Sequence, residues 1–132
     1  MELELKRGGR TARVETLGGE LVSYRDERGL EYIWGGDPAY WPGRNPLLFP
    51  IVGMLKEGKI RFDGREYAME RHGFARRREF TPAARGEDWV RLELRESAET
   101  LALYPYPFRL AVEQRLTDTG FSTAVTVANP GE

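Results

Sequence analysis

The segment Arg71-His72-Gly73-Phe74-Ala75-Arg76-Arg77-Arg78 sets the chain's only histidine beside four arginines. A histidine titrates near neutrality, so His72 is the natural general acid, general base or polar ligand. Gly73 beside it would let a substrate or another backbone approach closely. The competing reading is a surface histidine that follows a strand. Guanidinium groups match the oxygens of phosphate and carboxylate, so Arg71, Arg76 and Arg78 are candidate anion ligands. Were this segment a strand, Arg76 and Arg78 would share a face, with Arg77 opposite. Arg77 reads instead as a solvated residue paired with a nearby acid such as Glu70 or Glu79.

A second set of candidates lies upstream. Tyr40 and Trp41 offer apolar faces that suit the C–H face of a pyranose, and Arg44 and Asn45 can bond its hydroxyls. Trp34 reads as the end of a strand inside the core, and Trp41 stays open between core and binding roles. Asp37 precedes Pro38 and reads as the start of a turn. A lone histidine without cysteine leaves no sequence-local metal site. No phosphate-cradling glycine loop or nucleophile elbow is present.

The elements that must carry these residues are mostly strands. Phe108, Leu110, Val112 and Leu116 alternate with Arg109, Glu113 and Arg115; Gln114 breaks the apolar side once. After the turn at Asp118-Thr119-Gly120, Phe121, Thr123, Val125 and Val127 resume the alternation, predicting a hairpin with one buried face. Lys59–Phe62 and Arg65–Met69 flank Asp63-Gly64, the favoured type I′ pair. Thr11–Thr16, Glu20–Asp26, Glu31–Trp34 and Trp89–Arg95 read as further strands, and Glu96–Thr100 as one helical turn. The stretch 35–53 holds Pro38, Pro42, Pro46 and Pro50, which would remove four ladder donors. It is therefore an ordered loop, of the kind that often carries function. Many short strands between turns predict an all-β antiparallel sandwich.

At 132 residues the chain is one domain's worth of protein, predicted to be a single unit over 1–132. Twenty basic against 21 acidic residues give a net charge of -1, so no nucleic-acid partner is expected. No apolar run reaches the ~18 residues of a membrane span. The lack of cysteine fits a reducing compartment, and a cytoplasmic location is expected.

Four motifs follow one another in order: 18-GGELVS-23, 32-YIWGGDPAYW-41, 45-NPLLFPIVG-53 and 72-HGFAR-76. Together they resemble the aldose 1-epimerase (galactose mutarotase-like) family, in its branch with the His-Gly-Phe-Ala-Arg signature, which includes hexose-6-phosphate epimerases. The resemblance runs most closely from about Gly18 to Phe80 and continues from Tyr104 to Asn129. It implies a large antiparallel β-supersandwich that interconverts the α and β anomers of a hexose without a cofactor. In that chemistry a carboxylate takes the anomeric proton and a histidine protonates the ring oxygen. His72 matches the first histidine of the family and is the catalytic candidate. Arg44 matches a substrate-binding arginine, and Arg76 the signature arginine that can hold a phosphate. Asn45, Trp41 and Phe74 complete the expected substrate-binding set, with a hexose or hexose phosphate as partner and no metal.

The family's main acid histidine and base glutamate match no position here. The resemblance therefore implies the N-terminal portion of such a protein, with self-association through exposed sheet. The alternative is a non-catalytic sugar- or sugar-phosphate-binding β-sandwich.

Overall fold

The computed structural model describes residues 1–131. The chain opens with an antiparallel meander of β1 (Glu2–Arg7), β2 (Arg10–Glu15) and β3 (Glu20–Arg25). Strand β1 was absent from the sequence expectations, although Leu3 and Leu5 alternate with Glu2, Glu4 and Lys6. Both leucines are buried with Ala12, Val14 and Leu21. Further along, β4 (Lys59–Phe62) and β5 (Arg65–Ala68) form the expected small hairpin. Asp63 (φ 49°) and Gly64 (φ 77°) both take positive φ, as a type I′ turn demands.

The second large sheet has the order β6 (Thr81–Arg85), β7 (Trp89–Arg95), β8 (Arg109–Leu116) and β9 (Phe121–Ala128), antiparallel throughout. Between β7 and β8 runs the short helix α1 (Ala98–Leu103). It starts two residues later than the predicted turn because Ser97 and Thr100 form a reciprocal cap. The Thr100 N–H donates to Ser97 Oγ (3.2 Å) and the Ser97 N–H donates to Thr100 Oγ1 (2.8 Å).

The two larger sheets face each other. Leu3, Leu5, Ala12 and Val14 on one side meet Val90, Leu92, Leu110, Val112 and Leu116 on the other, with Met69, Phe74, Phe80 and Phe108 filling one end. The all-β sandwich expected from the alternating pattern is thus the architecture observed. Gln114, the one polar residue on the inner face of β8, is buried and ties the layers together. Its Nε2 donates to the Gly19 carbonyl (3.1 Å), and its Oε1 accepts from Thr123 Oγ1 (2.6 Å).

Three expectations are corrected. Residues 31–34 form no strand beyond a single bridge between Arg25 and Glu31. The Glu31 carboxylate takes the N–H groups of Tyr24 (2.8 Å) and Ile33 (3.1 Å), standing in for a ladder and ending the pairing. Trp34 is consequently outside the core, 45% exposed. The arginine segment, which resists the strand reading in sequence, holds a 3-10 turn at Ala75–Arg77, so the alternation a strand would impose on Arg76 and Arg78 does not apply. Strand β9 lacks its expected buried face, because it is the open edge of its sheet and β1 and β2 pack over β8 instead. Among the described residues no helix is long and apolar enough to cross a membrane.

Candidate functional site

The proline-rich loop and the arginine segment are drawn together by one backbone contact. Phe49 and Gly73 form a parallel bridge, and the Phe49 carbonyl accepts from both Phe74 N (2.9 Å) and Ala75 N (3.1 Å). The approach is close enough that a Cβ on Gly73 would lie 2.2 Å from the Phe49 oxygen. Gly73 also has φ 70°, so glycine is required twice over, by space and by conformation.

His72 is held by the same loop. Its backbone N–H donates to the Gly53 carbonyl (2.8 Å), and its Nδ1 accepts the Gly53 N–H (2.8 Å). A ring nitrogen that accepts carries no proton, so the neutral ring holds its proton on Nε2. Nε2 has no hydrogen-bond partner among the described residues and is left as a donor. The half-buried ring sits at φ 67°, fixed by both bonds to Gly53.

On the loop side, the Asp37 turn forms as expected. Asp37 Oδ1 accepts from Ala39 N (2.9 Å), and the Asp37 carbonyl accepts from Tyr40 N and Trp41 N. The Trp41 carbonyl accepts the Trp34 indole N–H (2.9 Å). A Cβ on Gly43 would come within 2.5 Å of the Trp41 ring, so the bare glycine lets that ring fold back over the chain. The Asn45 N–H donates to Glu20 Oε1 (2.5 Å), tying this end of the loop to the start of β3.

These ties leave a groove of about 590 Å³ whose walls include Trp41, Arg44, Asn45, Arg71, His72 and Arg76. Five of the six residues singled out in the sequence therefore share one concave surface, though they come from two separate segments. The sixth, Phe74, is buried at 3% exposure among Phe49, Tyr104 and Phe108 and does not line the groove. Its ring is needed where the loop, the arginine segment and β8 meet, so packing and not contact with a ligand accounts for its place. Arg71, one of the candidate anion ligands, also lines the groove, because it precedes His72 on the same turn.

The lining charges are all of one sign: Arg44, Arg71 and Arg76, with no carboxylate among them. Arg76 Nη2 donates to the Arg71 carbonyl (2.9 Å), while its buried Nε has no partner. A buried donor left unpaired is costly, and an acceptor brought by a ligand would satisfy it. The other arginines are accounted for: Arg77 pairs with Glu70 (2.8 Å) as expected, and Arg78 pairs with Glu99 on α1. Among the described residues no cluster of three His, Cys, Asp or Glu could hold a metal ion. Chemically, the groove offers a fixed neutral imidazole donor, three guanidinium groups, an amide and an indole face, which suit a polar, hydroxyl-rich or anionic ligand.

Comparison with known proteins bears on the family and the fold. The sequence profile of the aldose 1-epimerase family matches residues 1–132. The plasmid-encoded protein LacX of Lactococcus lactis is 39% identical over 134 residues, covering 98% of this chain and 45% of LacX. A galactose mutarotase-like protein from Lactobacillus casei superposes with a TM-score of 0.94 at 32% identity, over 98% of this chain and 44% of that one. A galactose mutarotase related enzyme from Lactobacillus acidophilus gives the same TM-score at 27% identity, over 98% and 43%. The chain thus spans a little under half the length of each.

Proposed function

Since this chain belongs to the aldose 1-epimerase family, we propose that its groove binds a hexose and orients it for interconversion of the α and β anomers. One observation carries the reading: Trp41, Arg44, Asn45, His72 and Arg76 converge on one groove in which His72 presents Nε2–H as a fixed donor. Trp41 takes the apolar face of the sugar ring, while Arg44 and Asn45 bond hydroxyls.

The reaction is a proton exchange around one C–O bond. As the anomeric hydroxyl loses its proton to a carboxylate, C1 becomes a carbonyl carbon and the C1–ring oxygen bond breaks. The ring oxygen leaves with a proton from the acid histidine, while His72 Nε2–H donates a hydrogen bond beside the reacting oxygens. Rotation about C1–C2 and reversal of both transfers close the ring on the other face. The groove's own lining residues include no carboxylate. By itself the chain therefore binds and orients the sugar, and turnover requires an acid and a carboxylate delivered to the groove.

The test is a titration with glucose and galactose followed by NMR, with polarimetry of freshly dissolved α-glucose alongside. Saturable shifts that weaken at least about tenfold in His72→Ala and Arg44→Ala are expected. No saturable binding by either sugar, in a chain shown to be folded, would sink the proposal. Mutarotation accelerated by the wild-type chain would instead mean that it holds its own base.

A second reading rests on the three guanidinium groups of Arg44, Arg71 and Arg76 in the lining and the unpaired Arg76 Nε. These favour a phosphorylated hexose over a neutral one. Glucose 6-phosphate should then bind more tightly than glucose at low ionic strength, with the gap narrowing as salt rises.

A further inference from the structure

We propose that Glu20 is a positioning residue for the groove, a role that rests on the hexose-binding reading above. Its carboxylate holds the Arg44–Asn45 stretch against β3 in the shape the ligand needs. The motif 18-GGELVS-23 supplies none of the groove's lining, yet it touches both of the segments that do. On one side, the Gly18 N–H donates to the Arg78 carbonyl (2.8 Å), and a Cβ on Gly18 would lie 3.0 Å from the Arg76 carbonyl oxygen. The turn after β2 is thus pressed against the backbone that carries Arg76. On the other side, Glu20 Oε1 accepts the Asn45 N–H (2.5 Å), and the Val22 carbonyl accepts from Arg44 Nη1 at a long 3.5 Å. One turn and the strand it opens therefore set Arg44 and Asn45 relative to Arg76.

The loop has little else to hold it there. Its flanks are fixed: the Trp34 indole and the Asp37 carbonyl pin Trp41, and the bridge to Gly73 pins Phe49. Between those points, among the described residues, the hydrogen bonds of residues 42–48 go to Glu20 and Val22 alone. Pro42 and Pro46 have no N–H to add. Of the two bonds, the one to Glu20 is the shorter and is charge-assisted, a kind about twice as strong as a neutral pair. It also acts on the backbone of Asn45, so it fixes the point from which the amide side chain reaches the groove. The acceptor itself is firmly held. Glu20 opens β3 between Leu21, buried in the core, and Gly19, whose carbonyl accepts from Gln114 (3.1 Å).

Without this pin the loop samples other arrangements, and the apparent affinity falls by the fraction that remains competent to bind. A carboxylate could also act through its charge alone. Glu15 stands opposite Glu20 in the β2–β3 ladder, and both line a hollow of about 430 Å³ that Arg44 and Arg76 share from behind the groove. An effect of charge would make the two glutamates interchangeable. The bond to Asn45 makes Glu20 alone matter, and makes its oxygen matter more than its charge.

The test compares Glu20→Ala, Glu20→Gln and Glu15→Ala in the full chain by NMR titration with glucose and galactose. Glu20→Ala should weaken both sugars about tenfold, with a thermal midpoint within about 4 °C of wild type. Glu20→Gln keeps an oxygen that can accept the Asn45 N–H, and should bind within about threefold of wild type. Glu15→Ala should bind as wild type does. In the sugar-free protein, the Asn45 amide proton should exchange with water at least about fivefold faster in Glu20→Ala than in wild type, and Glu20→Gln should restore the slower rate. Wild-type affinity in Glu20→Ala would overturn the proposal. So would a glutamine variant no better than alanine, an equal loss in Glu15→Ala, or a fall in midpoint beyond 4 °C, which would make Glu20 a residue of the sandwich and not of the groove. If the wild-type chain binds neither sugar, the hexose reading fails on its own, and the exchange rates decide: equal rates in wild type and Glu20→Ala overturn the positioning role as well.

Discussion

Replacing Gly73 by alanine attacks the contact that builds the groove. An alanine at φ 70° meets the left-handed penalty of about 1–2 kcal/mol. Its Cβ would also lie 2.2 Å from the Phe49 oxygen and 2.6 Å from Pro50 N, distances no side chain tolerates. The Phe49 carbonyl must retreat, and it is the acceptor for both Phe74 N and Ala75 N. Losing those two bonds adds about 1 kcal/mol each. Gly73→Ala should therefore lose about 3–4 kcal/mol, less a few tenths for the stiffer unfolded chain. Gly64 supplies the control: its φ is 77°, and a Cβ there would meet nothing within 4 Å. Gly64→Ala should lose only the conformational part, about 1–2 kcal/mol. Urea denaturation of both variants isolates the steric term as a gap of about 2 kcal/mol, or roughly 8 °C in thermal midpoint for a domain of this size. Because Gly73 adjoins His72, sugar binding should fall further in Gly73→Ala than in Gly64→Ala. If the two variants are equally stable, the close approach of Phe49 and Gly73 does not hold the groove together and the reasoning fails.

Gln114→Leu keeps the volume of a buried residue but strands the buried Gly19 carbonyl, while the exposed Thr123 hydroxyl turns to water. A loss of about 1–3 kcal/mol in urea denaturation is expected, against the usual gain from an apolar core substitution. Asp26 accepts from Leu30 N, Arg28 and Tyr32, and the Leu30 N–H above all holds its carboxyl below the ordinary 3.8. As pH falls below about 4, the unfolded chain takes up this proton before the folded chain does. The contribution of Asp26 is therefore full above that range and lost as pH drops through its folded value. Asp26→Asn should lower the denaturation midpoint at pH 7 and leave it nearly unchanged near pH 2. Arg77→Ala removes an exposed pair with Glu70 and should change stability by less than about 0.5 kcal/mol, without effect on sugar titrations. Arg76→Ala, tested in the same titrations, should weaken glucose 6-phosphate binding at least about tenfold.

The sequence by itself determined the strands that alternate, the Asp63-Gly64 turn and the proline loop, because those signals are local: side-chain period, positive φ and missing N–H groups act within a few residues. Its motifs, with Arg44 just ahead of the third, also picked out five side chains that line the groove. It misjudged residues 31–34 because the apolar spacing there is strand-like. The Glu31 carboxylate, which takes the place of the ladder, is visible only as a contact with Tyr24 and Ile33. Strand β1 and the short edge strand β6 escaped notice. The first hides its leucines among charges, and the second contains a proline that only an edge admits. Tertiary structure alone decided that Phe49 would meet Gly73, that Glu20 would hold Asn45, and that Nδ1 of His72 would be spent on Gly53, leaving Nε2 to donate. It alone separated Phe74 from its neighbours in the motif, because burial depends on what packs from elsewhere. It also left the apolar residues of β9 bare: alternation marks which side of a strand is apolar, but whether another layer reaches that side depends on strand order across the whole chain.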